Sequence, residues 1–105
     1  MNKIALLNDN FRVTFVGGRV MLTQGVNELP MDVKAQALLK VQSFSEFTKG
    51  NDPYGEHDFG TFELAGEKFF WKIDCYDERC ELGSKDPTDP EKTTRVLTIM
   101  LAEEY

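Results

Sequence analysis

The chain's only histidine, His57, lies in the segment Asn51-Asp52-Pro53-Tyr54-Gly55-Glu56-His57-Asp58-Phe59-Gly60, with Glu56 and Asp58 on either side. An imidazole between carboxylates has the makings of a general acid–base centre, such as a small hydrolase would use, with Glu56 or Asp58 assisting His57. The same groups are donor types that hold a divalent cation. Two considerations weigh against both. Adjacent residues seldom converge on one point, and no second histidine, serine nucleophile motif or glycine-rich phosphate loop accompanies them. The plain alternative is structural: Asp52 caps a turn, Tyr54 packs, and His57 bonds a backbone carbonyl as a strand begins. Sequence alone favours that reading, with no catalytic residue, metal or cofactor expected.

Cys75 and Cys80 form a lone pair. Structural zinc takes four Cys or His ligands in two closely spaced pairs, and only His57 is available to add to these two. Cys75 alternates onto a core-facing strand position, where a thiol behaves as a small apolar group.

The third cluster is acidic. Asp74, Asp77, Glu78, Glu81, Asp86, Asp89 and Glu91 crowd one stretch against Arg79 and Lys85 alone. Their spacing is not that of a calcium loop, which alternates acids around a central glycine. The net charge of −6 is also unevenly spread. Residues 1–50 hold four acids against six bases, whereas residues 51–105 hold fourteen against six. Direct nucleic-acid binding, which needs clustered Lys and Arg, is therefore not expected. A face that offers carboxylates to a basic protein partner, such as a nucleic-acid-handling complex, is the leading alternative to simple solvation. Its candidate contacts are Asp74, Asp77, Glu78, Glu81, Asp86 and Asp89, with Tyr54 as an aromatic contact. A homodimer is compatible with the sequence, and an apolar patch at Phe59 and Phe70 on an outer sheet face would be its sign.

Positioning these residues falls to a small set of elements. Ile4, Leu7 and Phe11 recur at helical spacing and predict a helix over Asn2–Val13. The competitor is a hairpin turning at Gly17-Gly18 between Arg12–Val16 and Arg19–Thr23. Either way Arg19–Thr23 is a strand. Val33, Ala37, Val41 and Phe44 mark an amphipathic helix from Met31 to Phe47, stopped by Lys49-Gly50. Thr61–Leu64 and Glu67–Cys75 flank Ala65-Gly66 as a hairpin. That loop sets Leu64 opposite Glu67, Glu63 opposite Lys68, Phe62 opposite Phe69 and Gly60 opposite Trp71, an oppositely charged pair on one face and an aromatic pair on the other. Gly60 leaves room for the Trp71 indole. Phe62, Leu64, Phe69, Trp71, Ile73 and Cys75 then share the core face. After the Pro-punctuated segment Asp77–Thr93, Thr94–Ala102 is apolar on both faces and suits an interior strand. The expected fold is α+β, an antiparallel sheet of about four strands with two helices on one face, in one domain over residues 1–105.

The composition fits: 41% hydrophobic residues with 8 Phe, 3 Tyr and 1 Trp can fill a core at this length. Nothing approaches the ~20 apolar residues of a membrane helix, the start lacks the apolar stretch of a signal peptide, and two cysteines make no disulfide framework. No membrane association and a cytoplasmic setting are expected.

The segments Asn51–Gly60, Phe70-Trp71-Lys72-Ile73-Asp74 and Thr94-Arg95-Val96-Leu97-Thr98-Ile99-Met100 resemble a bacterial family known as domain of unknown function 3768, over most of the chain from Ile4 onward. The resemblance implies a cytoplasmic single-domain protein of the kind frequent in alphaproteobacteria and on their mobile elements. It brings no activity, substrate or catalytic residues. With that setting, an inhibitor of host defence of anti-restriction or anti-CRISPR type fits the small size and the acidic half.

Overall fold

Asn2 starts the first helix, its side chain accepting from the Ile4 N–H at 2.7 Å and so serving a donor that the first turn leaves without a backbone partner. In the computed structural model, which describes residues 2–105, this helix, α1, runs Lys3–Thr14. It ends at Phe15 in the left-handed conformation (φ 59°). The hairpin alternative at Gly17-Gly18 is thereby excluded. The face α1 buries is rotated from the predicted one: Ala5, Asn8, Phe11 and Arg12 are buried, while Ile4 and Leu7 are half-buried flanks.

Strand β1 (Gly18–Leu22) leads into a single helical turn, α2 (Gln24–Asn27), and then α3 (Met31–Gln42). Strands β2 (Phe59–Leu64), β3 (Glu67–Tyr76) and β4 (Thr94–Leu101) follow, with a 3₁₀ turn at Ala102–Glu104. The sheet order is β1-β4-β3-β2. β2–β3 and β3–β4 are antiparallel, and β4 is the interior strand its two apolar faces imply. The hairpin register is the predicted one, including Phe62 opposite Phe69 and Glu63 opposite Lys68. Ala65 (φ 54°) and Gly66 (φ 78°) make its turn with two positive φ angles, the geometry that matches the twist of the flanking strands.

Three features differ from expectation. β1 runs parallel to β4, so the sheet is mixed, though mostly antiparallel. A third, one-turn helix is present. Finally, α3 stops at Gln42 rather than Phe47. The buried Arg12 guanidinium donates to the carbonyls of Val41 (2.8 Å) and Gln42 (3.2 Å), satisfying the helix end there. Phe44 and Phe47 then leave the helical path and pack edge-on against Trp71, at centroid distances of 5.4 and 6.2 Å.

The core lies between the helices and one sheet face, built from Phe11, Val26, Ala37, Val41, Phe69, Trp71, Ile73, Leu97, Ile99 and Leu101. Among the described residues no α-helix packs on the opposite face. There Phe59 and Phe70 form an aromatic cluster with Tyr105, at centroid distances of 6.0 and 5.1 Å from it. Glu104 ties the end of the fold to its beginning: its carboxylate accepts from Thr23 Oγ1 (2.6 Å), Gly25 N–H (2.9 Å) and Leu101 N–H (2.9 Å). No described helix is long and apolar enough to cross a membrane.

Candidate functional site

The topology brings the two segments singled out in the sequence together. β2 begins, β3 ends and β4 begins at the same end of the sheet, so loops 51–58 and 77–93 emerge side by side. Nine of the fourteen carboxylates after residue 50 lie in these two loops.

A buried polar brace holds the loops against α1. Asn8, 1% exposed, donates from Nδ2 to the Glu56 carbonyl (2.9 Å) and accepts from Arg95 Nε (2.8 Å). Arg95, also buried, donates through Nη2 to the Pro87 carbonyl (2.6 Å). One asparagine therefore links α1 to loop 51–58 directly and to loop 77–93 through β4. Among the described residues no carboxylate lies within ion-pair range of Arg95, and the amide oxygen and the carbonyl meet its charge instead.

His57 is clasped by residues distant in sequence. Its Nδ1 lies 3.0 Å from both Asp9 carboxylate oxygens, and its Nε2 lies 3.6 Å from Asp52 Oδ2. Phe47 stacks parallel on the ring at 3.9 Å. Asp52, buried, also accepts from the N–H groups of Glu56 (3.0 Å) and His57 (3.2 Å) through Oδ1, the turn-capping role expected of it. His57 adopts a left-handed φ of 54°, strained for a residue with a Cβ and held here by the ring and the amide together. Asp9 in turn accepts from Arg12 (3.0 Å). Both ring nitrogens thus face carboxylates, and the partners are Asp9 and Asp52 rather than Glu56 and Asp58. The arrangement orders a loop. Tyr54, at the loop's tip, is 81% exposed.

Glu56 and Asp58 instead feel their neighbours. Partial burial, then Asp58 and Asp52, push the Glu56 carboxyl above its ordinary range. Burial likewise pushes Asp58 up, reinforced by Asp52 and Asp74 and opposed by a backbone hydrogen bond. Burial raises the Cys75 thiol too, with Arg95 opposing. A carboxyl whose pKa is raised by folding takes up protons in the folded state, so stability falls as pH rises through that raised value. Glu56→Gln and Asp58→Asn should each raise the melting temperature at neutral pH. The gain should vanish at a pH below both the folded and unfolded values, where the wild-type carboxyl is itself protonated. Melting curves across that range check it, and a gain independent of pH would contradict the assignment.

Loop 77–93 is less uniformly acidic than its sequence. Asp77, Asp86 and Asp89 spend carboxylate oxygens on local N–H groups: Arg79 and Glu81 at 3.1 Å, Thr88 at 3.1 Å and Glu91 at 3.0 Å. These bonds hold Asp77 and Asp86 below the ordinary carboxylate range, chiefly through the Glu81 N–H and the Thr88 hydroxyl respectively. Glu78, Glu81 and Glu91 are exposed and make no such bonds. Asp74 lies on the outer sheet face, paired with Lys72 at 2.6 Å. The seven acids therefore divide into turn formers, one paired strand residue and three free glutamates. A cleft of about 280 Å³ in the loop is lined by Arg79, Lys85 and Lys92 together with Asp77, Glu78 and Leu82.

Sequence reasoning missed Asn8, Asp9, Arg12 and Arg95. The signal was present: Arg95 interrupts the inward series Arg95, Leu97, Ile99, Leu101, and Asn8 and Arg12 are polar residues at i, i+4 on the buried side of α1. A family model described as "Protein of unknown function (DUF3768)" matches residues 22–104. No curated protein and no solved structure matches the chain. The match spans both loops, the whole hairpin and β4, and on it the chain belongs to the DUF3768 family.

Proposed function

We propose that the protein is a non-enzymatic interaction protein that presents the acidic end of its sheet to a basic protein partner. Its type would be an anti-restriction or anti-CRISPR inhibitor, in which carboxylates occupy a groove built for nucleic-acid phosphates. The observation that carries this reading is the convergence of two acidic loops on one end of the sheet, which crowds nine carboxylates there. A basic surface would relieve that crowding on contact, and a charged rim of this kind speeds and orients encounter. The Asn8–Arg95 brace and the His57 clasp support it further, because a preordered face loses less entropy on binding. Tyr54, exposed beside the acids, is the kind of aromatic that anchors an interface. The clasped geometry of His57 gives less support to the hydrolase alternative.

The test reverses the three free glutamates and spares the aspartates that form turns. Glu78→Lys, Glu81→Lys and Glu91→Lys together should leave the circular dichroism spectrum unchanged. Capture of a basic partner from bacterial lysate should fall at least tenfold, and duplex DNA should compete with the wild type for that partner. Equal capture by the wild type and the triple variant would sink the proposal.

A further inference from the structure

β2 forms one edge of the sheet, and its backbone is arranged to receive another strand. Ile73 N–H donates to the Asp58 carbonyl at 2.8 Å, which makes residues 58 and 73 a hydrogen-bonded pair. Antiparallel pairs alternate, so Gly60–Trp71, Phe62–Phe69 and Leu64–Glu67 are bonded pairs as well. Phe59, Thr61 and Glu63 consequently turn their N–H and C=O groups away from β3 toward the open edge. Among the described residues no strand pairs with that edge. Natural edges are usually blocked by proline, lysine or a bulge. β2 has none of these, and its register runs unbroken from Phe59 to Leu64. Beside it lies a groove of about 300 Å³, between the edge and the end of α3, whose lining includes Lys40, Phe44, Glu46, Phe62 and Glu63.

We propose that this edge pairs with the same edge of a second copy, antiparallel about a two-fold axis at Thr61, joining two four-stranded sheets into one of eight. The charge distribution selects this occupant. The groove is mixed in sign, with Lys40 against Glu46 and Glu63, so neither a basic nor an acidic peptide matches it throughout. In the two-fold register Thr61 meets Thr61, Glu63 meets Phe59 and Phe62 meets Gly60, so no like charges are opposed and each Phe62 ring lies against a position without a side chain. Antiparallel pairing also sends the acidic loops to opposite ends. Each copy's acidic end then lies toward the hairpin end of the other, where Lys68 stands opposite Glu63. An isologous contact of this kind closes on itself and leaves the acidic faces free for another partner. The inference is independent of the reading of those faces.

The experiment measures mass in solution and amide exchange. The wild type should show twice 12.0 kDa by light scattering, with concentration-dependent dissociation. Exchange at Phe59, Thr61 and Glu63 should slow at least tenfold from dilute to concentrated protein. Thr61→Glu and Thr61→Lys each place like charges on the axis and should be monomeric, whereas their mixture should recover the dimer. Thr61→Pro removes an edge-facing N–H, together with the Thr61 hydroxyl's bond to the Phe69 carbonyl (2.9 Å), and should also be monomeric, with Trp71 fluorescence confirming that the hairpin is intact. A wild type that stays monomeric with rapidly exchanging edge amides overturns the proposal and leaves the edge for a strand from another protein. A dimer that survives the Thr61 variants overturns it in favour of a different interface.

Discussion

Replacing Asn8 by leucine should destabilise the domain by about 3 kcal/mol, because a buried charged donor and a carbonyl lose their partner in one step. Leucine keeps the approximate volume, so the loss falls on hydrogen bonding rather than on packing. Arg95 Nε would be left facing hydrocarbon at a site 4% exposed, and the Glu56 carbonyl would lose its donor. For a chain of this size such a loss corresponds to a fall of roughly 12–24 °C in melting temperature. Urea unfolding gives the energy directly, and a change within about 0.5 kcal/mol would show that the brace bears no stability. The double variant Asn8→Leu/Arg95→Met separates the causes. Replacing both partners by apolar groups removes the stranded charge, so the double variant should be more stable than Asn8→Leu alone. A double variant less stable than the single would place the energy in the Arg95–Pro87 bond instead.

Gly60→Val is the second large effect, with an expected cost of about 2–3 kcal/mol from overpacking. A Cβ at Gly60 would collide with Trp71 at Nε1 and Cε2 and would sit 2.8 Å from the Phe44 ring. None of these can yield easily. Trp71 is fully buried, Phe44 packs edge-on against it, and Phe47 beside them carries the His57 ring. Valine therefore acts beyond the strand, shifting the indole and loosening the stack on which His57 rests. Trp71 is the only tryptophan, so its emission reports the displacement without ambiguity. A red shift should accompany the loss of stability. Unchanged emission with unchanged stability would mean that β2 relaxes to admit the side chain.

What the sequence disclosed and what it withheld divide along the range of the interactions. The β2–β3 register was legible because Phe62/Phe69 and Glu63/Lys68 lie within eight residues of one another, and a two-residue loop allows few alternatives. Burial of Trp71 over Gly60 followed from the same register. The direction of β1 was not legible, since nothing in Arg19–Thr23 encodes which strand it will lie beside. The end of α3 was missed because the apolar spacing continues through Phe44, whereas the stop comes from Arg12, 29 residues away. The candidate site shows the same limit. Asp52's role as a turn former is local and was expected, but the Asp9 carboxylate that holds His57 lies 48 residues from it. A histidine flanked by acids drew attention to its neighbours in the chain, while the fold supplied different ones.

The parallel pairing of β1 has a consequence for the order of assembly. Joining Gly18 to Arg95 closes a loop of 77 residues, whereas the β2–β3 hairpin closes over two. Chain-closure entropy separates the two events by about 3 kcal/mol, from the logarithmic dependence on loop length. The hairpin can nucleate early, with β4 added antiparallel to it, but the N-terminal strand must wait until a long stretch of chain is already in place. Asn8 joins that late step through its bond to Arg95, 87 residues away. The acidic end is therefore a surface completed at the close of folding, and a chain stalled before that point would have its hairpin but not its face.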